Sequence, residues 1–316
     1  MKIIYYGTPQ FAVEPLEVLM KNGFVPAAVV TSPDKPAGRG LKTTASDVKQ
    51  FALSNGLKIL QPEKLSDESF ITELNALQPD LQVIVAFRKL PEVIWRMPPL
   101  GTINLHASLL PNYRGAAPIN HTIINGEKET GVTTFYINEK IDTGKIILQE
   151  KVPIEENDTA GTLHDKLMHA GSALLLETVK QIQKDNIQII EQNNLVSDFS
   201  MLYDAPKLSR EFCRINWNQS PLKIFNFIRG LSPVPSAWTE ISNGGSPSRL
   251  TIFSSKKETE SHTFETGKII SDNKSFLKAA VPGGYIHFME VQLAGKKRMR
   301  VEEFLRGFNT ENYFVK

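Results

Sequence analysis

The sequence predicts an α/β protein in two parts, a doubly wound, mainly parallel sheet followed by a small β-barrel. Three observations carry this. Apolar strand-like runs alternate with helix-like periods over the first 190 residues. A polar, aperiodic stretch from Glu191 to Asp204 interrupts the pattern, and short strands with Pro and Gly turns follow it. The 316 residues also exceed what one core usually supports. The domains are therefore read as 1–190, a linker 191–206, and 207–316. Charge divides with them. The net +2 of the chain resolves into about −5 before residue 207 and +7 after it, and a basic second domain suggests a polyanionic partner.

In the first domain, strands are expected at 2–6, 26–31, 81–86 and 101–106, and helices at 11–21, 46–55 and 67–77. Residues 133–137 and 145–150 extend the sheet. Leu163, Leu167, Ala170, Leu174 and Leu175 mark a helix over 161–184, and 187–190 reads as a short strand. In the second domain, strands are expected at 236–241, 248–253, 276–281 and 285–293, with helices at 220–230 and 301–306. Pro33 to Lys42 holds three cations, two glycines and two prolines, and reads as an exposed, irregular loop.

The most informative stretch is Asn104-Leu105-His106-Ala107-Ser108-Leu109-Leu110-Pro111. Ile103 and Leu105 alternate with Asn104 and His106, so the amide and the imidazole share one strand face about 7 Å apart. At the carboxyl end of a buried strand, this pair suits acyl chemistry. The amide can hold an oxyanion and the ring can move a proton. Asp142, in the turn Asp142-Thr143-Gly144, supplies a carboxylate able to orient the imidazole.

These residues resemble the signature of the folate-dependent formyltransferases. Further matches point to the branch that acts on methionyl-tRNA. They are the opening Lys2-Ile3-Ile4-Tyr5-Tyr6-Gly7-Thr8-Pro9, the loop Lys35-Pro36-Ala37-Gly38-Arg39-Gly40, and the late segments Ala205-Pro206-Lys207-Leu208, Arg229-Gly230-Leu231-Ser232-Pro233 and Lys297-Arg298-Met299. Together they cover residues 1 to about 308. The resemblance implies a Rossmann-like first domain and an OB-like barrel. It also implies 10-formyltetrahydrofolate as cosubstrate, methionyl initiator tRNA as acceptor, and a role in translation initiation. Asn104, His106 and Asp142 would be catalytic. His106 would act as a second donor or as the acid to the leaving nitrogen, and Asp142 would orient it or act through water on the amine. Folate would lie against Phe87, Arg88, Ser108, Leu109, Leu110 and Pro111. Lys35, Arg39, Lys42, Lys207 and Arg298 would meet tRNA, mainly through phosphates.

Two departures from that family stand out. Ala86-Phe87-Arg88 replaces the commoner Ala-Tyr-Gly, which alters the pocket wall or offers Arg88 to the folate glutamate tail. Asn138-Glu139-Lys140 replaces an acidic-Gly spelling. Sugar-nucleotide and purine-precursor formyltransferases share the catalytic trio, but the basic loop and basic second domain argue against them. A non-catalytic tRNA binder has no need of the trio. The first turn, Gly7-Thr8-Pro9-Gln10-Phe11, lacks the dinucleotide fingerprint of a dehydrogenase. Cys213 is alone, so no internal disulfide forms, and a cytoplasmic monomer is expected. No metal site is expected from six unclustered histidines, and no membrane span, since no apolar run approaches about 20 residues.

Overall fold

The computed structural model describes residues 1–37 and 42–316. Its first compact unit comprises 1–115, 129–153 and 164–204, and its second 116–128, 154–163 and 205–316. The strands in chain order are β1 Ile3–Gly7, β2 Ala28–Val30, β3 Lys35–Ala37, β4 Lys42–Thr44, β5 Ile59–Leu60, β6 Leu81–Val85, β7 Thr102–His106, β8 Arg114–Gly115, β9 Glu129–Tyr136 and β10 Ile146–Pro153. The helices that accompany them are α1 Val13–Lys21, α2 Asp47–Ser54, α3 Glu68–Ala76, α4 Glu92–Trp95, α5 Pro118–Ile124 and α6 Ala160–Gln183.

The first unit is built on a seven-stranded sheet in the order β10-β9-β7-β6-β1-β2-β5. Every pair from β7 through β5 is parallel, and β9 and β10 add antiparallel. β1 and β6 are buried at every position. That is why Ile3-Ile4-Tyr5-Tyr6 reads as a continuous apolar run rather than an alternation. Ile4, Tyr6, Val30 and Ile84 form one core with Phe70, Leu74 and Ile94. Ser46 caps α2 by accepting from the Lys49 amide at 3.1 Å.

The sheet order places the ends of β1, β6 and β7 side by side, with Gly7 level with Val85 and Val85 with Leu105. Two expectations change. The stretch 33–42 is not simply irregular, because β3 and β4 pair as an antiparallel ribbon. Residues 187–190 form no strand and contribute one bridge, Ile190 to Ile146. Short pieces such as β5 and α4 carry too few residues for their period to show in sequence.

After α6 the chain continues with β11 Asp204–Ala205, which pairs β8, and then β12 Ala237–Ser242, β13 Ser248–Thr259, β14 Ile269–Ser271, β15 Leu277–Val281, β16 Gly284–Leu293, β17 Met299–Arg300 and β18 Phe314–Val315, plus α7 Pro221–Leu231 and α8 Val301–Leu305. Antiparallel pairing runs β14-β15-β16-β13-β12-β18. A bridge between Lys268 and Phe314 returns the last strand toward the first, giving a nearly closed barrel. Its core joins Trp217, Ile228, Trp238, Ile252, Phe288 and Phe304. The amphipathic face of α7 packs there because Ile224, Phe225, Ile228 and Leu231 recur at helical spacing.

Candidate active site

β7 lies inside the sheet, bonded to β6 on one side and β9 on the other. Asn104 is half-buried, and its amide has no hydrogen-bond partner among the described residues. His106 is buried, at 7% exposure. Its Nε2 lies 2.9 Å from the Tyr113 carbonyl oxygen. A carbonyl only accepts, so Nε2 carries a proton there. Nδ1 then faces the Asp142 carboxylate at 3.8 Å, beyond hydrogen-bond length but within ion-pair reach.

Two left-handed residues hold this arrangement. Tyr113 has φ 58°, unusual for a bulky residue. Its N–H donates to the Tyr203 carbonyl at 2.7 Å and to Asn112 Oδ1 at 3.1 Å, and its ring stacks on Tyr203. The strained backbone aims the Tyr113 carbonyl at His106. Asp142 has φ 54°, which aspartate tolerates. Its Oδ2 accepts from the Gly115 amide at 2.9 Å. Two residues on, a Cβ at Gly144 would lie 1.6 Å from the Tyr136 carbonyl oxygen, so the chain can pass only as glycine.

Gln192 ties these parts together. Its Nε2 donates to the carbonyls of Asp142 and Gly144 at 2.9 and 2.8 Å. Its Oε1 accepts from Arg114 Nε and Nη2 at 3.1 and 2.5 Å. Burial pulls the Arg114 pKa down, and the charges of Asp142 and Asp204 push it back up.

The loop after β7 is clamped from β9 and β10. The Thr133 hydroxyl donates to the Ser108 carbonyl at 2.6 Å and accepts from the Leu110 amide at 3.1 Å. Gln149 Nε2 donates to that hydroxyl and to the Leu110 carbonyl, both at 2.9 Å. Ser108 is fully buried, with its hydroxyl donated to the Asn112 carbonyl at 2.7 Å. Leu110 and Pro111 are buried and Leu109 half-buried. Ser108 and Leu110 thus shape the loop, and Leu109 keeps partly exposed side-chain surface.

At the end of β6, Phe87 is half-buried against Tyr6, with ring centroids 5.6 Å apart. Arg88 donates to the carbonyls of Glu63, at 2.8 Å, and Pro62. It is engaged in pinning residues 62–63, and its guanidinium lies 5.6 Å from the Phe87 ring centre.

Arg39 lies outside the described residues, and Lys35 and Lys42 fall on the flanking strands β3 and β4. In the second unit Lys207 is exposed, whereas Arg298 pairs with Glu290 at 2.5 Å and covers the Phe253 ring at 4.1 Å. Sequence reasoning passes over Tyr113, Thr133, Gln149 and Gln192. Thr133 and Gln149 are polar side chains on expected strands, a signal that was available. Gln192 stands in an aperiodic stretch and gives none. Among the described residues no group of three or more His, Cys, Asp or Glu is placed to hold a metal, and no helix is long and apolar enough to cross a membrane.

Residues 1–179 match the family model for formyl transferase, and residues 207–309 the model for the formyl transferase C-terminal domain. The chain is 50% identical over 315 residues to methionyl-tRNA formyltransferase of Bacteroides fragilis, covering 99% of this chain and 97% of the relative. It is 51% identical over 309 residues to that of Bacteroides thetaiotaomicron, covering 98% and 96%. Among solved structures, the fold is shared with the N-formyltransferase of Helicobacter canadensis in complex with folinic acid and dTDP-3-aminofucose. That match has a TM-score of 0.62 at 23% identity, over 91% of this chain and 98% of that one. HypX of Aquifex aeolicus in complex with tetrahydrofolic acid also shares it, with a TM-score of 0.62 at 16% identity over 97% of this chain and 48% of that one.

Proposed function

Because the chain belongs to the methionyl-tRNA formyltransferase family, we propose that Asn104, His106 and Asp142 carry formyl transfer from 10-formyltetrahydrofolate to the α-amino group of methionyl initiator tRNA. The single observation behind the assignment is the buried His106 ring. It is fixed through Nε2, turns Nδ1 to Asp142, and stands two residues after an amide with no hydrogen-bond partner among the described residues.

In the reaction the amine nitrogen attacks the formyl carbon. The carbonyl oxygen gains negative charge and the nitrogen gains positive charge. The Asn104 amide donates to that oxygen, where the bond strengthens as charge develops. His106 donates a second hydrogen bond or protonates the departing folate nitrogen, and Asp142 holds the ring or takes the amine proton through water. Folate fits the residues present. Phe87 offers a flat apolar wall beside Tyr6, and the 108–111 loop is held rigid by Thr133 and Gln149.

The domain roles follow the sequence reading. Residues 1–190 carry the chemistry, 191–206 link, and 207–316 grip tRNA. Lys35, Arg39 and Lys42 meet the acceptor arm, while Lys207 and Arg298 meet phosphates. The enzyme works in the cytoplasm as a monomer. The test is formyl transfer from 10-formyltetrahydrofolate to charged initiator tRNA, with uncharged and elongator methionyl-tRNA as controls. Transfer confined to the charged initiator is expected. Binding of tRNA without transfer would overturn the catalytic assignment.

A further inference from the structure

We propose that Gln192 is a positioning residue for formyl transfer. Its carboxamide would lock the Asp142 turn onto the Arg114–Gly115 strand, and so keep the Asp142 carboxylate facing His106. The proposal rests on the catalytic reading above. Residue 192 lies between the stretches matched by the two family domain models.

Gln192 is 2% exposed, and all four of its hydrogen-bonding places are filled. Two carbonyls, of Asp142 and Gly144, face its nitrogen, and two N–H groups of one guanidinium face its oxygen. Carbonyls only accept and guanidinium only donates, so the amide can sit one way round. No other side chain of this length brings both polarities. Glutamate loses both donors at neutral pH and sets an anion against two carbonyls. Methionine loses all four bonds. Lysine and arginine cannot accept.

The bonds converge on the part that chemistry needs. The Asp142 carbonyl is held by Gln192 and the Asp142 carboxylate by the Gly115 amide. Gly115 directly follows Arg114, the residue that Gln192 grips. Asp142 is thus fixed at both ends from one short strand, with its Oδ2 3.8 Å from His106. Releasing the Gln192 end would free the turn to swing about the single bond to Gly115. Misplacing a group that orients a proton-transfer residue slows the chemical step more than it weakens substrate binding.

The test uses the full-length chain with Gln192→Glu and Gln192→Met. The measurements are single-turnover formyl transfer, KM for the folate donor, initiator tRNA affinity and thermal unfolding. Both variants are expected to lose roughly 10- to 100-fold in kcat, the scale of one or two buried hydrogen bonds. KM and tRNA affinity should stay within about two-fold. Wild-type kcat in Gln192→Glu overturns the proposal. So does a fall in kcat matched by equal losses in KM and melting temperature, which marks a structural prop alone. If Gln192→Met fails to fold, Gln192→Glu, which keeps size and the bond to Arg114, decides. Absence of transfer by the unmutated chain would overturn the catalytic reading itself, a result distinct from any effect at position 192.

Discussion

Asn104 and His106 are strand residues whose polarity is out of place for a buried sheet, and that made them legible in sequence. Alternation put both on one face, and the structure keeps Asn104 half-buried with no described partner and His106 buried. Asn104→Ala is expected to cut kcat about 100- to 1,000-fold in single-turnover transfer while leaving KM for both substrates unchanged. An effect confined to KM would assign Asn104 to binding instead. What could not be read from sequence is the set of hydrogen bonds that supports the trio. Thr133 serves three partners from one hydroxyl, yet a threonine on a strand is unremarkable in sequence. Thr133→Val leaves the Leu110 amide and Gln149 without that acceptor. It should cost about 1–3 kcal/mol in denaturant unfolding and raise KM for the folate donor. Arg88 is expected either to alter the pocket wall or to meet the folate glutamate tail, and in the structure its guanidinium donates to the Pro62 and Glu63 carbonyls.

At the level of elements, the long strands and helices followed from period and turn chemistry. Strong burial on both faces marked β1 and β6, and spacing of leucines marked α6. The pieces that escaped were two to seven residues long. α5 is one of them, because Pro118-Ile119-Asn120-His121 shows no clear period over so few residues. The turn from Ile141 to Gly144 carries Asp142, the carboxylate proposed for catalysis. Gly144→Ala would press a methyl into the Tyr136 carbonyl, so the turn must shift and carry Asp142 away from His106. A loss of kcat at least as large as that of Gln192→Met is the expected outcome, measured in the same single-turnover assay. Retained activity in Gly144→Ala would show that the turn position is not what holds Asp142 for catalysis.

For the molecule as a whole, the Glu258 cluster of the barrel should contribute to acid sensitivity. Glu258 accepts from His287 and from Lys278, the latter at 2.9 Å, and these bonds pull its pKa down to about 2 from an ordinary 4.5. A carboxyl whose folded value is depressed stabilises the fold above its unfolded value. It loses that contribution as pH falls through the folded value. Stability should therefore decline between about pH 4.5 and 2, and Glu258→Gln should flatten that part of the profile. Tryptophan fluorescence reports it, since Trp217 and Trp238 sit in the barrel core. An unchanged acid profile in the variant would exclude this cluster.

The second compact unit is not continuous in sequence. It takes in 116–128 and 154–163 as well as everything after 204. Within it, Gly230 on α7 approaches α5 so closely that a Cβ would lie 2.7 Å from Ile124. Arg229 reaches the Asp158 carbonyl at 2.9 Å, and the Gly161 amide reaches Ser232 at 3.0 Å. Grafting a barrel from a distant relative at residue 207 would therefore split this unit and leave its two early segments facing foreign surfaces. Shuffling at that seam is constrained to barrels that keep a glycine at 230 and an arginine at 229. The boundary that a gene fusion at residue 207 would choose is not the boundary of this compact unit.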